Sequence, residues 1–254
     1  YEDVLAMDVS VILPTYNERE NITKLIPMIA EVLRNYRYEI IVVDDNSPDG
    51  TAEIALKLAE KYPVKVIKRP SKLGLTSAIY EGISNSSGKY IVIMDADLQH
   101  PPEVIPSLIM GLERCDLVVA SRYVKGGMVT GFPIHRRLIS RVSILLTHIL
   151  VERTRAVKDP VSGFFSIRRE HALKWKPLVP TGYKALVEII GSLIDLSICE
   201  EPYVFRARPG GRSKLSLKVI LAYIVTLAKL RPLRFAMLCL LAIILIAVIL
   251  YISL

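Results

Sequence analysis

The chain has 254 residues, of which 52% are hydrophobic, and carries a formal net charge of +8. That length holds one large domain, or one domain with an appendage, and the apolar fraction is high for a purely water-soluble one. Three cysteines, Cys115, Cys199 and Cys239, show no metal-binding spacing and an odd count, against a disulfide framework and for a reducing compartment, and the absence of an aromatic-rich basic platform argues against nucleic acid as a partner.

The charge is unevenly spread. Residues 1–120 carry 12 basic and 18 acidic residues, a net of −6, whereas residues 121–254 carry 21 and 7, a net of +14. The second half is therefore the half that meets phosphates or an acidic membrane surface.

Val9–Leu13 reads as an apolar strand and Pro14-Thr15-Tyr16-Asn17-Glu18 as the loop after it. Ile22, Leu25, Ile26, Ile29 and Leu33 recur at helical spacing and predict a helix over residues 18–35. Glu39–Val43 reads as a buried strand ending in Asp44-Asp45-Asn46-Ser47-Pro48-Asp49-Gly50. A helix over residues 51–61, a strand at Val64–Lys68, the turn Lys72-Leu73-Gly74-Leu75 and a helix at Thr76–Ser84 follow. Strand–helix alternation with short loops predicts a doubly wound, mostly parallel sheet. Neither Gly-x-Gly-x-x-Gly nor a Walker A sequence is present, so nucleotide binding must rest on other contacts.

Tyr90–Met94 is the most informative strand. It is apolar on both faces, as a central parallel strand is, and it runs into Asp95-Ala96-Asp97-Leu98-Gln99. Alternate strand residues share a face, so Asp95 and Asp97 are expected to converge just beyond the carboxyl end, where open α/β sheets bind ligands. Two adjacent carboxylates repel each other, and Mg²⁺ or Mn²⁺ removes the conflict. Gln99 adds a neutral oxygen at the next alternate position. Pro101-Pro102 stops the strand and opens a helix over residues 102–113, and Asp116–Ala120 is the next strand.

Beyond Ser121-Arg122-Tyr123 the texture changes. Gly126-Gly127 and Gly131-Phe132-Pro133 mark a loop, and His135–Glu152 reads as a helix with one broad apolar face and Arg136, Arg137 and Arg141 at its start. The segment 158–165 leads into a strand; residues 185–196 read as helical, 197–207 as extended and 215–230 as a second apolar helix. His135, His148 and His171 show no paired partner, and Trp175 reads as packing. Phe235–Leu254 is 20 uncharged residues, the length of one membrane span, with Arg231 and Arg234 before it. Tyr1–Ala6 are expected to precede the natural start at Met7, and further spans are expected after the last residue.

Val11–Glu18, the run Asp44–Thr51, the turn Lys72–Leu75 and Asp95-Ala96-Asp97 together resemble the inverting family 2 glycosyltransferases of the GT-A fold. Ile139-Ser140-Arg141, Asp159–Phe164 and Gly211-Arg212-Ser213-Lys214-Leu215 narrow the resemblance to polyprenyl-phosphate glycosyltransferases. The pattern is most similar to the dolichol-phosphate mannose synthases, and it spans roughly residues 8–230. The resemblance implies metal-dependent, inverting transfer of mannose from GDP-mannose to dolichyl or another polyprenyl phosphate, at the cytoplasmic face of the bilayer. The nearest alternative is a glucosyltransferase of the same type using UDP-glucose; a non-catalytic membrane adaptor is a more distant one.

Site roles follow from the same resemblance. Asp95, Asp97 and Gln99 would hold Mg²⁺ or Mn²⁺; members often carry Ser at the position of Gln99. Pro14, Tyr16, Glu18, Val43, Asp45, Lys72, Asp95, Ala96, Asp97, Gln99, Arg208 and Lys214 would bind the nucleotide sugar. Arg122, Arg136, Arg137, Arg141 and Ser213 would receive the acceptor phosphate. Asp97, Arg122, Arg212 and Lys214 would carry the chemistry. Residues 7–134 form the nucleotide-sugar half, 135–152 an interface helix, 153–214 the acceptor-side part, 215–230 a second interface helix and 232–254 a transmembrane helix. A lipid phosphate is already ionised near neutral pH, so no carboxylate, Glu188 included, is expected to act as a general base.

Overall fold

The computed structural model describes residues 8–131, 134–206 and 217–252. Nine strands appear among them: β1 (Val9–Thr15), β2 (Tyr38–Asp44), β3 (Val64–Lys68), β4 (Tyr90–Ile93), β5 (Leu117–Ser121), β6 (Met128–Val129), β7 (Phe165–Arg168), β8 (Ile198–Pro202) and β9 (Val204–Phe205). Seven form one sheet in the order β3-β2-β1-β4-β7-β5-β8. Every neighbouring pair is parallel except those of β7, which runs antiparallel to both β4 and β5. The chain lays down β1, β2 and β3 in one direction and then returns to place β4 on the other side of β1. That reversal opens a crevice at the carboxyl ends of β1 and β4.

The helices that cover the sheet are α1 (Arg19–Val32), α2 (Thr51–Leu58), α3 (Leu75–Ser84), α4 (Ile105–Gly111), the short α6 (Arg169–Ala172) and α7 (Ala185–Ser192). One face of the sheet buries Ile22, Leu25 and Ile29 of α1, Ala55 of α2 and Leu108 of α4. The other buries Ala78, Ile79 and Ile83 of α3 with Leu186, Ile189 and Ile190 of α7. Every residue of β1 is buried, which explains why the central strands read as unbroken apolar runs. Trp175 is fully enclosed in the second core, as packing.

Three further helices stand apart: α5 (Ile134–Leu150), α8 (Leu217–Leu230) and α9 (Pro232–Ile252). Leu150, Val187, Tyr223, Leu227 and Leu230 form a third core that fixes α8 against α5 and α7. On α5, Ile134, Leu138, Val142, Leu145 and Ile149 remain exposed at helical spacing, and Leu221 and Val225 remain exposed on α8. The α9 helix begins pinned to the body: Arg231 donates to the Gly191 carbonyl at 3.1 Å and Arg234 pairs with Glu152 at 2.7 Å. Its 21 residues, at ~1.5 Å each, approach the thickness of a bilayer core. Among the described residues no helix is long and apolar enough to cross a membrane. That set includes the side chains of α9 only as far as Ile244.

Most predicted elements recur with shifted ends. The predicted strand 90–94 stops at Ile93, and the helix predicted over 102–113 splits into a 3₁₀ turn at Pro102–Val104 and α4. The helix predicted to Leu196 ends at Ser192, and Asp195 lies at φ 66° in the turn beyond. The loop after β5 contains β6, paired with β9 in a separate two-stranded sheet. The cysteines need a larger correction: Cys115 and Cys199 are joined as a disulfide across 84 residues, leaving Cys239 free. The register that sets Val118 opposite Cys199 brings the pair together, and linear spacing does not reveal it.

Candidate active site

The three parallel strands β2, β1 and β4 deliver their carboxyl ends to one rim. On the β1 side, Asn17 at φ 56° turns the chain out, and Glu18 is buried at the start of α1. The Glu18 amide donates to Thr51 Oγ1 at 3.0 Å, while its carboxylate accepts from Asn21 Nδ2 at 2.5 Å. Tyr16 lies beneath the ammonium of Lys72, which is 3.6 Å from the ring centroid. Two residues 56 apart in sequence therefore share one wall of the rim. Pro14, Val43 and Ala96 are buried, and Val43 packs in the second core, so only its backbone can reach a ligand.

The two aspartates that end β2 differ in their partners. Asp44 accepts from Thr15 Oγ1 at 2.9 Å and from the Ser47 hydroxyl and amide at 2.5 and 2.8 Å; it shapes the loop. Asp45 accepts from Arg69 at 2.5 Å and from the Gly74 amide at 3.0 Å. Arg69 also donates to Ser77 Oγ at 2.7 Å and lies 3.1 Å from Glu81. Asp45 is thus tied to the Lys72–Gly74 turn, a bond the sequence did not reveal.

Beyond β4 the strand geometry is lost before the first acidic residue. Asp95 follows the strand without regular structure, Asp97 sits in a bend, and Leu98 at φ 62° breaks the alternation expected to carry on to Gln99. All three nevertheless line one cavity of about 490 Å³. Asp97 accepts the Gln99 amide at 3.1 Å, and Gln99 Nε2 donates to the Arg206 carbonyl at 3.1 Å, leaving the side-chain oxygen as the atom for further contacts. His100, buried among Phe164, Tyr203 and Phe205, brings Nε2 to 3.5 Å from Asp95. Gly163 passes so close that a Cβ there would lie 2.7 Å from Asp95 Oδ2.

Among the described residues no group of three His, Cys, Asp or Glu side chains is placed to hold a metal. Two carboxylates and an amide oxygen still suit Mg²⁺ or Mn²⁺. Such ions take one or two carboxylates and complete their shell with water and substrate phosphates.

The cavity changes character along its length. Asp95, Asp97, Arg122 and Lys184 line the end at the carboxyl edge of the sheet, and Leu138, Ile139, Val142 and Leu146 of α5 line the other with Ile220, Tyr223 and Ile224 of α8. Arg122 reaches this wall already engaged: it donates to both oxygens of Asp159 at 2.7 Å each, and its backbone amide donates to the same carboxylate at 3.1 Å. Burial opposes that charge, but Asp159 outweighs it and holds the guanidinium above its usual value. Arg137 and Arg141 are exposed on α5 and do not line the cavity, and the Arg136 side chain lies outside the described set. Arg208, Arg212, Ser213 and Lys214 also lie outside the described residues.

Lys184 was missed in the sequence, where it has no recognisable neighbours. Burial, then the nearby Arg122, lowers its ammonium to about 8. Glu188, one turn further along, is fully buried; burial raises it to about 7, and it does not line the cavity.

The family model described as Glycosyl transferase family 2 matches residues 10–175. A dolichol-phosphate mannosyltransferase of Pyrococcus furiosus is 48% identical over 219 residues, covering 86% of this chain and 62% of that protein. Another, from Saccharomyces cerevisiae, is 35% identical over 244 residues and covers 91% and 90% respectively. The solved structure of glucosyl-3-phosphoglycerate synthase from Mycobacterium tuberculosis, in complex with Mn²⁺, UDP and glucosyl-3-phosphoglycerate, matches with a TM-score of 0.70 at 23% identity, over 89% of this chain and 80% of that one. This last likeness establishes the α/β GT-A fold.

Proposed function

The chain belongs to glycosyltransferase family 2, and from that premise we propose that it transfers mannose from GDP-mannose to a dolichyl or related polyprenyl phosphate. The observation that carries this reading is the two-ended cavity. A pair of carboxylates at the carboxyl edge of the sheet shares one cavity with an apolar groove between α5 and α8. A charged headgroup at one end and a long hydrocarbon at the other match those two linings. The mannosyltransferase names of the Pyrococcus and Saccharomyces relatives support the choice of sugar and lipid.

Tyr16, Glu18, Asp45 and Lys72 form the rim that would hold the nucleoside, with Tyr16 offering a ring face. Asp95, Asp97 and the Gln99 side-chain oxygen would hold Mg²⁺ or Mn²⁺, which when bound supplies positive charge to the donor diphosphate. The acceptor needs no deprotonation, because a phosphomonoester's second pKa is about 6. The protein's work is to align two anions about one sugar carbon and exclude water. The exposed apolar stripe of α5 and its counterpart on α8 would lie in the membrane interface, and α9 would enter the bilayer. Arg231 and Arg234 favour a cytoplasmic catalytic body.

A panel of nucleotide sugars tested against one polyprenyl phosphate, with product followed in the lipid phase, tests the reading. GDP-mannose should support turnover, lost on chelation and in a folded Asp97→Ala variant. Turnover with UDP-glucose alone would replace the sugar assignment, and full activity of Asp97→Ala in chelator would remove the metal.

A further inference from the structure

We infer that Lys184 supplies the cation that receives the acceptor's phosphate at the junction of the carboxylate pair and the apolar groove. The inference rests on the lipid-phosphate reading above and deepens it.

Lys184 lines the cavity beside Asp95 and Gly163, and its Nζ donates to the Val161 carbonyl at 2.8 Å. The ammonium also lies 4.6 Å from the centroid of the Tyr183 ring. Neither contact carries a full negative charge. Among the described residues, Lys184 forms no ion pair, and the other cation lining the cavity, Arg122, is held along one edge of its guanidinium by both oxygens of Asp159. Burial and Arg122 outweigh the through-space support that Asp95 and Asp159 give the ammonium, and an enclosed ammonium with no directly bonded counter-ion among the described residues is expensive to keep. A fold that retains one against a cavity retains it for an anion that arrives with the ligand. At this junction the matching anion is a phosphomonoester whose hydrocarbon tail continues between α5 and α8.

The step balances without a proton donor or acceptor. An ionised phosphate oxygen forms a bond to the anomeric carbon, and the bond from that carbon to the donor diphosphate breaks. The nucleoside diphosphate leaves with the electron pair. Lys184 stays protonated throughout and holds the attacking phosphate in place.

The test separates charge recognition from packing by comparing farnesyl phosphate with farnesol, two ligands that share a tail. Binding of each is measured to the wild-type protein, to Lys184→Met and to Lys184→Gln, which keeps a hydrogen bond donor for Val161. Farnesyl phosphate should bind about 10- to 100-fold more weakly to both variants, the range for a lost charge-assisted hydrogen bond. Farnesol binding and the nucleotide-sugar KM should stay within about twofold, while the acceptor KM rises. Equal losses for phosphate and alcohol, or no loss for either, would overturn the assignment. If Lys184→Met does not fold, Lys184→Gln carries the same comparison. A wild-type protein that binds the phosphate through Lys184 but transfers no sugar to any polyprenyl phosphate would overturn the proposed function and leave this assignment standing.

Discussion

Asp159→Asn isolates what Arg122 is for. The Arg122 side chain is 9% exposed and that of Asp159 is 0% exposed, and three N–H groups of one residue converge on the single carboxylate. Removing one partner of such a buried pair costs about 3–5 kcal/mol, because the remaining charge stays buried without compensation. Asparagine keeps one carbonyl oxygen for one of those donors, so the lower end, about 3 kcal/mol, is expected. In a protein of this size that corresponds to a fall in Tm of about 6–12 °C. Differential scanning calorimetry of the wild-type and variant proteins in the same detergent reads it directly. The double variant Arg122→Met/Asp159→Leu should be less destabilised than Asp159→Asn alone, since it removes both charges together. A loss under about 1 kcal/mol for Asp159→Asn would show that Arg122 is solvated in the cavity and free for a phosphate. The contrast that singles out Lys184 would then fail.

Two other substitutions probe the site from its edges. Gly163→Ala would put a Cβ 2.7 Å from Asp95 Oδ2, and Gly163 is not among the positive-φ glycines, so the strain falls on the carboxylate rather than the backbone. Displacing Asp95 by a few tenths of an ångström should lower kcat/KM about tenfold with little change in Tm; steady-state kinetics within twofold of wild type would mean that the carboxylate's position is not critical. Glu188→Gln tests the buried acid. Its folded value near 7 against an ordinary 4.5 means that the native state holds the proton more tightly, so the wild-type protein should lose about 3 kcal/mol of stability relative to Glu188→Gln as pH rises from 4.5 to 7. Denaturant unfolding at a series of pH values measures that slope. Turnover of Glu188→Gln should stay within tenfold, whereas a loss of about 10²–10⁴ would mark a general base after all.

The elements that sequence reveals best are those whose pattern is set by burial on a regular period. β1, β2 and β4 are buried on both faces, so they read as apolar runs, and α1 repeats its buried residues every three or four positions. Asp95 and Asp97 line one cavity beyond the central strand, as expected, although the strand ends before them and its alternation does not place them. Gln99 reached the same cavity by another route, through the left-handed turn at Leu98, which no alternation rule contains. The β6–β9 pair and the Cys115–Cys199 bond depend on register between segments far apart in the chain. Local composition carries no information about register until the sheet is built.

Charged residues were harder to read for a related reason. A sequence announces that a residue carries charge, and it does not say whether the fold has already matched that charge. Arg122, expected at the acceptor phosphate, is paired through Nε and Nη2 with Asp159; Asp45, expected at the nucleoside, is held by Arg69 and Gly74; Arg137 and Arg141 face outward. Lys184, which drew no attention, bonds directly only to a neutral carbonyl among the described residues and lies over a ring face, with Asp95 and Asp159 acting on it through space. A buried ion pair is nearly self-sufficient, so its members hold shape more than they recruit ligands. The groups that can still attract an anion are those whose partners are neutral. Lys184 at the wall of the cavity is such a group, and its standing rests on Asp159 having claimed Arg122.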